Sequence, residues 1–352
     1  MPDGRLADPD RMLGTDPRSD PRMVAALAPY GLDGRLPPLP LSVDSTVDEQ
    51  LVIVASMEEQ FGAIFDALAQ SAPIAEGVSS TTVTIAGGGG NDLTLYISRP
   101  ADTDGPLPGV VHLHGGGMAI LSAADTIYVR WRENLADTGL VVVGVEFRNS
   151  AGKLGAHPYP AGLNDCAAAI RWVSANREDL GVSQLIVSGE SGGGNLSLTV
   201  AHKANREGWL HEIAGVYAQC PFISNRWLEQ PDDLPSLKEN DGYFLSCHLL
   251  AVFGSVYDTS GPNATAATCW AGVATDADLA GLPLHVISVN ELDPLRDEGL
   301  VYYRRLLRAG VSAVGRMVAG TCHGADLLLG GAMPDVYLAS LRDVSGFARS
   351  IG

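Results

Sequence analysis

Six short apolar runs recur along the second two-thirds of the chain: "GVVHLH" from Gly109, "LVVVGVEF" from Leu140, "SQLIVSG" from Ser183, "IAGVYAQC" from Ile213, "PLHVISVN" from Pro283 and "SAVGRMV" from Ser312. They are rich in β-branched residues and nearly unbroken by polar ones, which predicts strands buried on both faces. Helical periodicity fills most gaps between them, as in "AGLNDCAAAIRWVSANRED" and "DEGLVYYRRLLRAG". Strands alternating with helices predict a mainly parallel sheet covered on both sides. Upstream, "TTVTIA" and "LTLYIS" alternate around "GGGGND", which predicts a hairpin and brings the strand count to eight. "STVDEQLVIVASMEEQFGAIFDALAQ" reads as an amphipathic helix, with Ser45 or Asp48 as its cap. Residues 1–45, rich in Pro, Gly and Asp, predict an arm with little regular structure. The stretch between Cys220 and Leu284 is too long for a plain connection and predicts a lid or cap, with aromatics that look exposed.

The chain has 352 residues, enough for one large α/β domain with additions. Asp plus Glu outnumber Lys plus Arg by 41 to 23, a net charge of −18 that repels nucleic acid and anionic membranes. Five cysteines with no Cys-x-x-Cys argue against a disulfide framework or a zinc site. The start, "MPDGRLADPDRML", carries no secretory pattern, and no apolar run reaches the length of a membrane span. A soluble cytoplasmic protein is therefore expected. The glycine cluster at 87–90 leads into a strand rather than a helix, which argues against a phosphate loop.

Chemistry concentrates at "VSGESGGGNL". Gly189-Glu190-Ser191-Gly192-Gly193 fits G-x-S-x-G, and it lies between a predicted strand and a predicted helix. A sharp strand-to-helix turn presents a serine above a sheet, and glycines two residues either side relieve the crowding. A chain with 41 glycines meets this pattern by chance often enough that its setting must carry the argument. "HLHGGGM" supplies a second element: glycines after a strand let backbone amides approach a reacting oxygen. Gly116, Gly117 and Gly192 are the expected oxyanion donors, with His114 fixing the loop. Of the histidines, only His323 in "TCHGAD" lies late in the chain, in a loop after a strand. His112 is expected in the core, His157 as a loop packing residue, and His202 and His211 as solvated. Between serine and histidine, "HVISVNELDPLRDEG" offers Glu291 and Asp293 as acids. Asp293 is preferred, while Asp297 and Glu298 suit the first turn of the following helix. Ser191, Asp293 and His323 then follow the α/β-hydrolase order.

"HGGG", "GESGGGNL", "DPLRDEG", "HG" and "HPYPAGLNDCAAAIRWV" resemble the hormone-sensitive-lipase family of α/β-hydrolases, over a stretch from about Thr81 to the C-terminus. Three features depart from the common pattern: Gly192 replaces the usual alanine, Glu190 the commoner aspartate, and "FRNSAGKLGAHPYP" the usual segment before the next helix. The resemblance implies a carboxylic ester hydrolase without metal or organic cofactor, acting on a soluble ester or a bulky lactone. It also implies a helical cap built from the N-terminal helices and an insertion from Ile223 to Ala280. The expected organisation is an arm with cap helices over 1–80 and a catalytic domain over 81–352.

Amide or peptide hydrolysis on the same residues is a competing activity, and a ligand receptor on the same fold a competing class. Met118, Trp227, Tyr243 and Phe244 are candidate substrate contacts, each with core packing as the alternative. The sequence leaves a homo-oligomer open.

Overall fold

The computed structural model describes residues 11–37, 39, 41, 45–103, 105–259 and 261–351. The apolar runs form one eight-stranded sheet: β1 Val78–Ala86, β2 Asp92–Pro100, β3 Leu107–Leu113, β4 Val141–Val145, β5 Val182–Glu190, β6 Gly215–Gln219, β7 Leu284–Asn290 and β8 Ala313–Val318. The strand order is β1-β2-β4-β3-β5-β6-β7-β8. β1 pairs antiparallel with β2, and β2 with β4, while every pairing from β4 to β8 is parallel. β4 and β6 are buried throughout, which is why they read as unbroken apolar runs, whereas edge strand β1 is mostly exposed and reads as an alternation.

The helices are α1 Pro21–Leu27, α2 Val47–Ala69, α3 Thr126–Asp137, α4 Ala161–Ala175, α5 Arg177–Leu180, α6 Gly192–Glu207, α7 Ser236–Glu239, α8 Cys247–Tyr257, α9 Asp276–Leu279, α10 Arg296–Arg308, α11 Ala325–Leu328 and α12 Pro334–Ser350. No described helix is long and apolar enough to cross a membrane.

Two local expectations are corrected. The cap of α2 is Thr46, not Ser45 or Asp48. Thr46 Oγ1 accepts from Glu49 N–H, and the Glu49 carboxylate accepts from Thr46 N–H at 2.8 Å, a reciprocal capping box. The arm is also more ordered than its composition suggested. Asp20 caps α1, Met23 is fully buried, and Asp20 N–H donates to the Gly320 carbonyl at 2.9 Å. The described part of the arm therefore packs beneath the loop that carries His323.

The aromatics between β6 and β7 are buried rather than exposed. Phe222 stacks on Trp227 at 4.2 Å, Trp270 meets Trp227 edge-on at 5.4 Å, and Tyr257 meets Trp270 at 5.3 Å. Such rings bury large areas and favour offset or edge-to-face contacts, so they form a core for the insertion itself. Glu298 fastens that core to the sheet domain. It sits in the first turn of α10, as expected, but it is 4% exposed. It accepts from Ile223 N–H at 2.6 Å and from Trp227 Nε1–H at 3.1 Å. Burial pushes its carboxyl up to about 7, against these donors, which pull it down.

A carboxyl raised from 4.5 to about 7 stabilises the fold fully below 4.5 and loses that contribution as pH rises through about 7. The loss amounts to roughly 3 kcal/mol. Glu298→Gln should flatten the fall in melting temperature between pH 4.5 and 7, measured by thermal unfolding in a buffer series. An unchanged slope would assign the pH dependence elsewhere.

Candidate active site

Ser191 lies in the turn between β5 and α6, with φ 56° and ψ −118°. A non-glycine residue holds such a backbone only where its surroundings fix it. Here they do. A Cβ on Gly189 would lie 2.5 Å from the carbonyl oxygens of Leu113 and Gly193, and one on Gly193 would run into the carbonyls of Leu113 and His114. A Cβ on Gly192 would stand 2.5 Å from Met118 N and 2.8 Å from Gly117 Cα. The glycine that replaces the usual alanine at 192 thus lets the serine turn pack directly against the HGGG loop. Ser191 N–H donates to the Gln219 carbonyl at 2.9 Å, and its own carbonyl accepts from Phe222 N–H at 3.1 Å.

Asp293 and His323 sit in the loops after β7 and β8. His323 Nδ1–H donates to Asp293 Oδ2 at 2.7 Å. The other Asp293 oxygen accepts from Leu295 N–H at 2.9 Å, and the residue is fully buried. Glu291 is engaged elsewhere: its carboxylate accepts from Gly320 N–H at 2.9 Å. Burial opposes charge on His323, but the Asp293 carboxylate outweighs it and raises the imidazole well above its ordinary value. Cys220 completes a buried trio whose ligand atoms lie within 4.8 Å of one another. Those residue types can bind a soft cation. However, the imidazole and carboxylate are already bonded to each other, and burial pushes the Cys220 thiol up so that it stays protonated. The geometry suits a proton relay better than a metal site.

Gly116 and Gly117 adopt φ 95° and 62°, the left-handed region, as the close approach of this loop to its neighbours requires. His114 stacks on Phe147 at 4.2 Å and its Nδ1–H donates to the Gly115 carbonyl at 2.8 Å. Burial lowers its pKa, so it braces the loop as a neutral ring. Glu190, the variable residue of the serine motif, is 5% exposed; its carboxylate accepts from Gly115 N–H and lies 3.2 Å from His112 Nε2.

A model of the α/β-hydrolase fold family matches residues 110–327. Over 100% of this chain and 99% of its own, brefeldin A esterase, a bacterial homologue of human hormone-sensitive lipase, is 43% identical with a TM-score of 0.97. The chain belongs to the hormone-sensitive-lipase branch of the α/β-hydrolase family. Esterase Est22 is 35% identical over 96% of this chain and 99% of its own, with a TM-score of 0.86. Carboxylesterase NlhH of Mycobacterium tuberculosis is 34% identical over 65% of this chain and 70% of its own length. The reaction class is that of a carboxylic ester hydrolase.

In this α/β-hydrolase, Ser191, His323, Gly116 and Gly117 line one cavity. Of the four candidate substrate contacts, only Phe244 lines it too. Met118 is buried behind the glycine loop, with Asn195 at its sulfur. Trp227 belongs to the aromatic core of the insertion, and the Tyr243 hydroxyl donates to the Arg11 carbonyl at 3.2 Å. All three lie in irregular segments, where sequence does not say which way a side chain points. The walls that sequence reasoning missed include Phe61 and Phe65 of α2 and Phe253 and Leu250 of α8. Phe61 and Phe65 lie one turn apart, a spacing visible in the sequence, but their partner face was not.

The remaining histidines stand apart from the cavity. His112 and Ser188 approach within 3.0 Å, but they are paired residues of β3 and β5, both buried inside the sheet. His202 is buried against the Tyr302 hydroxyl at 3.0 Å and lowered to about 4, not solvated as expected. His157 is exposed rather than packed.

Asp293→Asn should lower the His323 imidazole, because the carboxylate that offsets its burial is gone. Glu291→Gln should leave it raised. Histidine titration followed by NMR reads both; a His323 value that moves with Glu291 instead would transfer the pairing.

Proposed function

We propose that Ser191 is the nucleophile, His323 the general base and then acid, and Asp293 the group that orients and stabilises the imidazolium. The observation that carries this reading is the 2.7 Å bond from His323 to a fully buried Asp293, with His323 facing the same cavity as Ser191 and the glycine loop. Ser191 Oγ attacks the acyl carbon while His323 Nε2 takes its proton. The oxyanion is held by the N–H groups of Gly116, Gly117 and Gly192, next to the N-terminus of α6. His323 then protonates the leaving alcohol, and a water molecule activated by the same imidazole releases the acid. The presence of nucleophile, base, acid and donor loop together supports an enzyme over a ligand receptor on this fold.

The cavity supports an apolar acyl group, since Phe, Leu and Gly make up most of its lining around Ser191 and His323. The likeness to brefeldin A esterase supports a lactone substrate. The charge of −18 disfavours an anionic lipid surface. The five cysteines, all free and buried, suit a reducing cytoplasm.

Ser191→Ala should reduce ester hydrolysis by about 10³-fold or more in a folded protein, because nucleophile and base act as a unit. Activity within tenfold of the parent would remove Ser191 from the mechanism. Specificity constants for p-nitrophenyl butyrate, a macrolactone such as brefeldin A, and emulsified triolein should place triolein last. Triolein as the best substrate, with activation at the interface, would make the protein a lipase; cleavage of the butyrate but not the lactone would exclude the lactone reading alone.

A further inference from the structure

Glu58 is a charged side chain in an unexpected place. It lies on α2, outside the sheet domain, yet it is 7% exposed. Its two oxygens reach two different loops: one accepts from Leu121 N–H at 2.8 Å, the other from Lys153 N–H at 2.6 Å. Leu121 ends the glycine loop. That loop is a bonded unit, since the Gly116 carbonyl accepts from Ala119 N–H at 3.0 Å and Ile120 N–H at 3.1 Å. It is also tied to the neighbouring segment by Ser150 N–H to the Met118 carbonyl at 2.9 Å and Asn149 Nδ2–H to the Leu121 carbonyl at 2.7 Å.

The loop is strained as well as bonded. Met118 and Leu121 hold φ 58° and 73° without being glycine. Such conformations persist only where the surroundings over-determine them. On the other side of the carboxylate, Gly152 is at φ 69°, and a Cβ there would run into Glu58 Oε2. Both loops are therefore shaped around this one carboxylate. Glu58 also shares a helix face with Phe61 and Phe65, three and seven residues on, which wall the cavity. Phe61 in turn meets Phe244 of the insertion at 6.4 Å between ring centres.

We propose that Glu58 is a positioning residue that makes the geometry of the oxyanion loop depend on the seating of α2, so that the wall of the acyl pocket and the oxyanion donors are assembled together. The proposal rests on the reading of Gly116 and Gly117 as those donors. With α2 seated, the carboxylate holds the strained end of the loop. With α2 lifted, the buried Leu121 amide and the Lys153 amide lose their acceptor, and the loop is free to relax away from the serine.

The test compares Glu58→Gln, Glu58→Ala and Phe61→Ala in the full chain with p-nitrophenyl butyrate as substrate. A trifluoromethyl ketone serves as inhibitor, because addition of the serine creates the same oxyanion. Glu58→Ala should lower kcat roughly 10- to 100-fold with KM within about threefold, and weaken the ketone in parallel. Glu58→Gln keeps one acceptor oxygen and should fall between that variant and the parent. Phe61→Ala removes the wall and leaves the clamp, so its loss should appear mainly in KM. The proposal is overturned if both Glu58 variants keep kcat within about twofold, or if their loss lies in KM alone with the ketone unaffected. Should Glu58→Ala not fold, Glu58→Gln decides on the same criteria. An active Ser191→Ala, or a parent enzyme that the ketone does not inhibit, would instead sink the reading of the site on which the proposal rests.

Discussion

The close approach of backbone to backbone at the turn from β5 into α6 governs the rest of the site. No side chain fits at Gly189 or Gly193, because the carbonyl oxygens of Leu113, His114 and Gly193 occupy that space. Once those positions are glycine, the chain can reverse within one residue, and Ser191 takes up φ 56°. The same contact fixes what stands opposite. The HGGG loop leaves β3 immediately beside the turn, so Gly192 packs on Gly117 and Met118. One steric requirement therefore places the candidate nucleophile, the N-terminus of α6 and the glycine-loop amides within reach of one cavity.

Buried carboxylates do the fastening around that centre. Glu190 holds the start of the glycine loop, Glu58 its end, Glu298 the insertion, and Asp293 the imidazole. Three of the four accept mainly from backbone N–H groups or an indole rather than from arginine or lysine. Charge-assisted bonds of this kind are stronger than neutral ones, and leaving such an acceptor buried without its donors is costly. Irregular segments gain defined positions in this way. The bulk of the cohesion comes from elsewhere, from the continuous apolar core that joins the sheet, its helices and the aromatic cluster of the insertion.

Helix α2 and the insertion are thus connected to the sheet layer in two chemically different ways. Phenylalanines and leucines of α2 and α8 close over the cavity through non-directional contacts, which tolerate sliding. Glu58 and Glu298 attach at defined points, which do not. Gly117 records the interlock from the other side, since a Cβ there would stand 2.8 Å from the Phe253 ring.

The sequence by itself determined the eight strands, their alternation with helices, and the chain positions of Ser191, Asp293 and His323 after successive strands. It could do so because these depend on local signals: period, β-branching, and glycine where a turn admits nothing larger. It also favoured Asp293 over Glu291 from its place after the strand, and in the structure it is Asp293 that bonds His323. The cap of α2 was missed by one residue because Ser45, Thr46 and Asp48 all suit the role, and only the return bond from Glu49 singles out Thr46. Tertiary structure alone decided what meets what. It turned Trp227 and Tyr243 inward and Phe244 into the cavity, although all three sit in the same aromatic-rich insertion. It buried His202 and brought Glu58 of an N-terminal helix to a loop 63 residues further along. The physical reason is common to these cases: a side chain in an irregular segment has no period to read, and the partner that fixes its direction lies far along the chain.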